Sequence, residues 1–487
     1  MKKKYINNKY GEKMELKKAA LINTLGRYSV IIIQIIVSAI LSRILSPDDF
    51  GVIVVITVFS TFFSMIANMG FSTAIIQNKD LNKADIDNIY SFTVYLSFII
   101  ALIFAMSSFF IAYFYKDNIY IPITMLLSIA LFFDALSMVP NGILNREKKF
   151  EVIAIRSFIT YGCSAVIAIV LAVLGFKCYA IVIQTILASI GSFIWNYILT
   201  KPKFIAKFNI KSVKKIANYS GYQFASNFVN YFSNNLDNLL TGKLMGKAEL
   251  AFYNKAYNLL LYPVNNLSGI IAPVLHPILA DYQKNQRYIY EKYIHIIKLI
   301  ALIGAFVQAV FIMASSEIIN IMYGSQWSSS IICFHILSFC IIFRMINSVS
   351  GAVFQSLGNT KLLFQNGFIN SVITVLLILF GVLVLKNIKG LAICVAIAYI
   401  IHYFTASTML IKNGFNYSII SYYKDLFKEV IIFAIMMISA NIHILENDNI
   451  FIGLSLKITF LSAVFSLLLF VTGEYKIILS LLRKSSK

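Results

Sequence analysis

Fourteen apolar segments joined by short polar loops make up nearly all of this chain. A helix crosses the hydrocarbon core of a bilayer in roughly 20 residues, and each of these segments is of that order. Their apolar runs are continuous rather than alternating, so helices are expected and strands are not; a helix also satisfies its own backbone in lipid. The segments begin near Leu21, Phe50, Ile86, Ile119, Val152, Cys178, Ile216, Leu250, Tyr288, Trp327, Leu362, Leu391, Leu426 and Ile450. The eighth, which carries Lys255, and the tenth are the least sharply bounded. An all-α integral membrane protein with about 14 transmembrane helices leaves almost no chain for a conventional enzyme.

Charge sets the expected orientation. Only 13% of residues are charged, half of the roughly 25% usual in water-soluble domains, yet the formal net charge is +21. With the N-terminus inside, the cytoplasmic segments hold 29 Lys and Arg. The outside loops hold 6, namely Lys116, Lys177, Lys243, Lys247, Lys386 and Lys389. That asymmetry is the positive-inside bias; it argues against nucleic acid as partner and places both termini in the cytoplasm. Residues 1–20 are basic and polar, and the long apolar run after them reads as a retained anchor rather than a cleaved signal. The five cysteines lie in or beside apolar spans and read as small core hydrophobes.

A repeat organises the chain. At an offset of 200 residues, RILSPDDFG (Arg43–Gly51) lies on KLMGKAELA (Lys243–Ala251), matching Arg43 with Lys243, Asp49 with Glu249 and Gly51 with Ala251. Asn23, Arg27, Gln34 and Ser38 then fall on Gln223, Asn227, Asn234 and Asn238. At an offset of 210, Phe133–Asn145 lies on Phe343–Gln355. Spans 1–6 thus pair with spans 7–12, and an even number of spans per unit gives two parallel six-helix lobes related by an axis along the membrane normal. The expected domains are a basic N-terminus (1–20), an N-lobe (21–200), a lysine-rich cytoplasmic linker (201–215), a C-lobe (216–412), two additional C-terminal helices (413–472) and a cytoplasmic tail (473–487).

Polar residues recur at helical spacing inside the apolar spans. Asn23, Arg27, Gln34 and Ser38 share a face of the first. Asn227, Asn230, Asn234, Asp237 and Thr241 do so in the seventh. Asp134, Ser137, Asn141 and Asn145 form a stripe in the fourth, and Arg344, Ser348, Gly351 and Gln355 in the tenth; Asn254, Asn258 and Asn265 share a face of the eighth, beside Lys255. Unpaired polar groups cost several kcal/mol in lipid, so these stripes face one another or water. Single Asn and Ser residues serve helix–helix contact as readily as binding. The ionisable residues Arg27, Lys255, Arg344, Asp134 and Asp237 are the candidates for function, the alternative being Asp134–Arg344 or Asp237–Lys255 ion pairs. Arg156 is expected to snorkel to the inner leaflet. Pro263, Pro273 and Pro277 predict a kinked or broken eighth helix, a hinge for alternating access.

Cations among many amides suit an anionic, sugar-bearing ligand, because Arg and Lys bind phosphate oxygens and amides match sugar hydroxyls. No Walker loop is present, the five histidines show no metal-ligand spacing, and no cofactor is expected.

The run LSRILSPDDFGV, the later MGFSTAIIQNKDLNKADIDN and the second-lobe GKLMGKAELAFYNKAYNLLLYPVNNLSGIIAPVLHPILADYQ resemble the Wzx-type polysaccharide flippases. These belong to the multidrug/oligosaccharidyl-lipid/polysaccharide (MOP) exporter superfamily. The resemblance spans essentially the whole chain. It implies two six-helix lobes around a central cavity, plus two extra helices. It also implies movement of an undecaprenyl-diphosphate-linked oligosaccharide across the bacterial inner membrane for O-antigen, capsule or wall polymer, alongside a polysaccharide polymerase and chain-length machinery. Cations in the first and eighth helices bind pyrophosphate in related flippases; Arg27 and Lys255 match them by position.

The expected mechanism is alternating access. Arg27, Lys255 and Arg344 would neutralise the diphosphate, and Asn23, Gln34, Asn227, Asn234 and Asn258 would meet the glycan. Asp134 or Asp237 would couple the cycle to a proton or sodium gradient. The rivals are a multidrug antiporter of the same superfamily and a membrane-embedded polymerase or glycosyltransferase, which would need a larger external loop than this chain has.

Overall fold

The computed structural model describes residue 26 and residues 28–68, 71–78, 80–209, 212–214, 231–280, 282, 285–442, 447–477 and 479. Asn23, Arg27 and Asn227 lie outside these residues. Among the described residues there is no β-strand. Among the described residues, nine helical stretches are long and apolar enough to cross a membrane, and a tenth counts if the helices on either side of a 57° bend, Ser325–Ser338 and Ile341–Ser356, form one span. The protein is therefore an all-α, multi-pass membrane protein. The chain groups into two compact units, Met1–Ala248 and Glu249–Lys487.

The first unit contains α1 (Tyr28–Ile44), α2 (Pro47–Asn68), α3 (Phe71–Gln77), α4 (Lys83–Tyr115), α5 (Tyr120–Leu136), α6 (Met138–Arg146), α7 (Phe150–Val173), α8 (Tyr179–Thr200) and α9 (231–244). The SPDD motif is the start of α2. The Ser46 hydroxyl accepts from the Asp49 N–H and donates to the Asp49 carboxylate, which also accepts from the Ser46 N–H. This is a reciprocal capping box with proline at the first helical position, where its missing N–H costs nothing. Asn82 and Asp85 cap α4 the same way. Gly51 has a structural reason: a Cβ there would sit 2.1 Å from the Lys247 carbonyl oxygen.

The stretch after α8 is strapped to the first turns of α4. The Lys203, Ile205 and Asn209 N–H groups donate to Asp87, Ser91 and Asn88, and the Ser212 hydroxyl donates to Asp85. Asp85 and Asp87 are thus buried yet satisfied. α9 packs on α2 and α4: the Tyr231 hydroxyl donates to the Val58 carbonyl and the Tyr115 hydroxyl to that of Leu239. These bonds explain why the compact units divide one helix later than the lysine-rich stretch.

The second unit contains α10 (Lys247–Ala280), α11 (Gln286–Met313), α12 (Ser315–Tyr323), α13 (Ser328–Ser338), α14 (Ile341–Asn347), α15 (Ser350–Ser356), α16 (Thr360–Phe380), α17 (Ile388–Thr408), α18 (Ile419–Asp425), α19 (Phe427–Ala440) and α20 (Ile450–Thr472). The first two residues of α10 fall in the first unit. α10 runs as one helix through Pro263, Pro273 and Pro277, so the expected break is absent; the break falls instead in the tenth segment, between α13 and α14. α11 is central, packed against α14, α19 and α20. α19 and α20 are held by ion pairs: Lys298–Glu429 at 3.5 Å links α19 to α11, and Lys457–Glu317 at 2.5 Å links α20 to α12.

Candidate functional site

Two cations in the second unit are set among aromatic rings. α10 places Lys255 at 8% exposure, with its ammonium 4.7 Å from the Tyr323 ring centre and 5.3 Å from that of Trp327. Both aromatic residues are themselves fully buried. An ammonium over ring faces is stabilised by the π quadrupole, the more so when water is excluded. α14 places Arg344, whose guanidinium carbon lies 3.7 Å from the Tyr399 ring centre on α17 and 5.5 Å from that of Tyr257 on α10. Arg344 Nη2 donates to the Tyr257 hydroxyl at 3.2 Å, and the Tyr257 and Tyr399 hydroxyls share a 2.5 Å hydrogen bond. The planar guanidinium is fixed by stacking, which a lysine cannot reproduce.

Arg344 Nη1 is buried without a hydrogen-bond acceptor among the described residues. An unmet charged donor is costly, and an incoming anion relieves that cost. The polar network continues past Tyr399 to His402, which packs edge-on to it at 5.6 Å and bonds the Asn370 carbonyl and Thr374 hydroxyl through Nε2 at 3.0 Å each. His402 and His335, bonded to the Ile312 carbonyl, have structural partners.

The first unit carries a different site. A cavity of about 260 Å³ is lined by Thr57, Ser60, Thr61 and Ser64 of α2, Asp134 of α5 and Thr185 of α8. Ser189 of α8 stands beside the Asp134 carboxyl. The four α2 hydroxyls stand at i, i+3, i+4 and i+7, one helical face. A carboxylate among hydroxyls is hard-donor chemistry, suited to a small cation or to sugar hydroxyls. Nearby in sequence, Arg156 departs from expectation. It does not reach for lipid headgroups: Nη1 donates to Asn196 at 2.6 Å and Asn141 at 3.3 Å, Nη2 donates to Ser157 at 3.3 Å, and Nε is buried with no acceptor among the described residues. The amides of α6 and α8 lie within bonding distance and capture the side chain.

The remaining expected residues divide. Lys255 and Arg344 lie in the same unit, each against its own rings: Tyr323 and Trp327 for Lys255, Tyr399 and Tyr257 for Arg344. Asn258 on α10 is exposed and donates to Asn254 at 2.7 Å. Gln34 on α1 is half-buried and Asn234 on α9 exposed. Asp237 is buried, its carboxylate accepting from the Asn238 N–H at 2.8 Å. Reading the sequence for charges missed the α2 hydroxyl face, although its spacing was visible, and missed Tyr257, Tyr323, Trp327 and Tyr399, because aromatic residues in an apolar span are indistinguishable from core.

The relatives agree with this architecture. The chain is 22% identical over 342 residues to the teichuronic acid biosynthesis protein TuaB of Bacillus subtilis, covering 69% of this chain and 70% of that one. It is 21% identical over 340 residues to the lipopolysaccharide biosynthesis protein WzxC of Escherichia coli, covering 67% of each. Among solved structures, the inward closed lipid II flippase MurJ superposes with a TM-score of 0.75 at 16% identity, covering 94% of this chain and 100% of that one. An inward-facing multidrug resistance MATE transporter of the MOP superfamily does so at 0.60 and 15%, covering 83% and 95%. The family described as "Polysaccharide biosynthesis protein" matches residues 40–332, more than half of the sequence. The chain therefore belongs to the polysaccharide biosynthesis protein family, built on the transporter fold of the MOP superfamily.

Proposed function

We propose that this membrane transporter of polysaccharide biosynthesis flips an undecaprenyl-diphosphate-linked oligosaccharide from the inner to the outer leaflet of the cytoplasmic membrane by alternating access. The observation that carries the reading is Arg344, seated 3.7 Å over the Tyr399 ring centre with a buried Nη1 that meets no acceptor among the described residues, in the same unit as the desolvated Lys255. A desolvated ammonium and a guanidinium whose buried Nη1 meets no acceptor among the described residues suit a diphosphate, which offers oxygens to both. In this reading Arg27, Lys255 and Arg344 bind the diphosphate, and Asn23, Gln34, Asn227, Asn234 and Asn258 bind the glycan. Both termini face the cytoplasm, no chemistry is performed on the ligand, and a polymerase with chain-length machinery receives the flipped product.

Coupling falls to Asp134 or Asp237. The hydroxyl-lined cavity around Asp134 supports Asp134 as the group that takes up a proton or sodium ion. The same cavity is what a multidrug antiporter would use, and a drug-susceptibility comparison of deletion and wild-type strains separates the two readings. The direct test is Lys255→Ala. Loss of surface glycan with an unchanged amount of protein in the membrane is expected; normal surface glycan contradicts the assignment.

A further inference from the structure

The six lysines outside the membrane by the charge asymmetry are not evenly spread. Three of them, Lys116, Lys243 and Lys247, meet where α4 ends and α9 gives way to α10, all within the first unit. A cavity of about 560 Å³ opens there, lined by Phe109, Tyr113, Lys116, Asn118 and Lys243 among others. Lys243 donates to the Phe114 carbonyl and lies 4.6 Å from that ring's centre, which uses one of its three N–H donors. Lys116 is exposed and holds φ at 57°, a left-handed position closing α4 where glycine is the easier residue. Lys247 is neutralised by Asp117 at 2.6 Å. Burial pulls the Asp117 carboxyl upward, but Lys247 and the Ile119 N–H hold it below the ordinary carboxylate range. Asp117 is thus engaged by Lys247 and does not line the cavity that Lys116 and Lys243 line.

Below this cationic mouth lies a second cavity of about 200 Å³ with an apolar lining that includes Val58, Phe59, Phe62, Phe110, Tyr231 and Leu239. The two are joined through stacked rings: Phe110 lines the lower cavity and Phe114 the upper, with centroids 6.1 Å apart and planes at 22°. Phe110 and Lys116 are six residues apart, about 9 Å along the helix axis, the separation of a headgroup phosphate from the upper part of its chain.

We propose that this end of α4 and α9 is a binding site for a phosphate-headed lipid, its phosphate on Lys116 and Lys243 and its chain in the aromatic cavity. The assignment to the outer leaflet rests on the orientation adopted under the proposed function; the site itself does not. Outer loops are depleted of cations by the insertion bias, and here they converge on a cavity with apolar depth beneath it.

The test uses the purified full-length protein in detergent and native mass spectrometry with added polyprenyl phosphate, phosphatidylglycerol or diacylglycerol. One retained adduct is expected for a phosphate-bearing lipid and none for diacylglycerol. Lys116→Gln with Lys243→Gln should weaken retention about tenfold, the effect of losing charge-assisted bonds to phosphate. Ser107→Trp, which fills the apolar cavity and leaves both lysines, should weaken it as well. Retention of both phosphate lipids assigns the site to lipid phosphate in general, and retention of polyprenyl phosphate alone assigns it to the carrier class. Equal retention of diacylglycerol, or a double variant that binds like wild type, overturns the site. Labelling of Asn118→Cys by an impermeant maleimide on intact cells checks the orientation separately; labelling only after permeabilisation would move the site to the inner leaflet and contradict the orientation alone.

Discussion

The guanidinium of Arg344 lies 3.7 Å from the ring centre of Tyr399, and this stacking turns a flexible cation into a fixed one. Tyr257 completes the arrangement by accepting from Nη2 at 3.2 Å and bonding the Tyr399 hydroxyl. Nη1 is left buried with no acceptor among the described residues. The side chain is oriented before any ligand arrives, so binding an anion there loses little side-chain entropy.

Arg344→Lys should therefore fail nearly as badly as Arg344→Ala, since an ammonium cannot stack or present a planar fork. We expect surface polymer to fall at least about tenfold in both variants, one charge-assisted bond's worth. Tyr399→Leu, which keeps the charge, should give an intermediate loss. Immunoblotting of membranes controls for insertion; an active Arg344→Lys protein would refute the stacking argument.

Asp134 lines a cavity with four α2 hydroxyls. If it couples transport to an ion, Asp134→Asn should abolish the response of transport to a collapsed proton or sodium gradient while leaving the protein folded. Thr61→Val, which removes one ligand, should raise the ion concentration required. Transport by Asp134→Asn that still collapses with the gradient assigns coupling elsewhere, with Asp237 the next residue to change.

Gly51 faces the Lys247 carbonyl with no room for a Cβ. Gly51→Ala should lower stability by about 1–3 kcal/mol, the range for overpacking a close contact. A thermal-unfolding assay in detergent reads this as a lower Tm; an unchanged Tm would mean the two backbones separate freely.

Lys457 and Glu317 form an ion pair with side chains 12% and 14% exposed. Removing one partner strands a buried charge, at roughly 3 kcal/mol. Lys457→Met should thus destabilise more than Lys457→Met combined with Glu317→Gln, where no charge is stranded. Equal losses in the two proteins would show that the pair is hydrated.

The helical class and the placing of Lys255 and Arg344 within helices of apolar segments were legible from the sequence. Length, apolarity and rare intramembrane charge are local signals that survive folding. What escaped was relational. Arg156 looked like a snorkelling cation because nothing in its own segment reveals that Asn141 and Asn196, on two other helices, come within bonding distance. Proline spacing implied a kinked or broken α10; α10 runs without a break, and a 57° bend lies instead between α13 and α14, where no proline stands. The SPDD motif was used as a mark of resemblance, and its physical content is a helix cap.

The central claim is movement of a lipid-linked oligosaccharide between leaflets. It is tested most directly by deleting the gene in its host, restoring it as wild type or as Lys255→Ala, and measuring the leaflet distribution of the lipid-linked oligosaccharides. The account predicts full-length oligosaccharide accumulating on the inner leaflet in the deletion and with Lys255→Ala, and an outer-leaflet pool with wild type. A normal outer-leaflet pool of unpolymerised repeats in the deletion strain would contradict it and identify a polymerase defect instead.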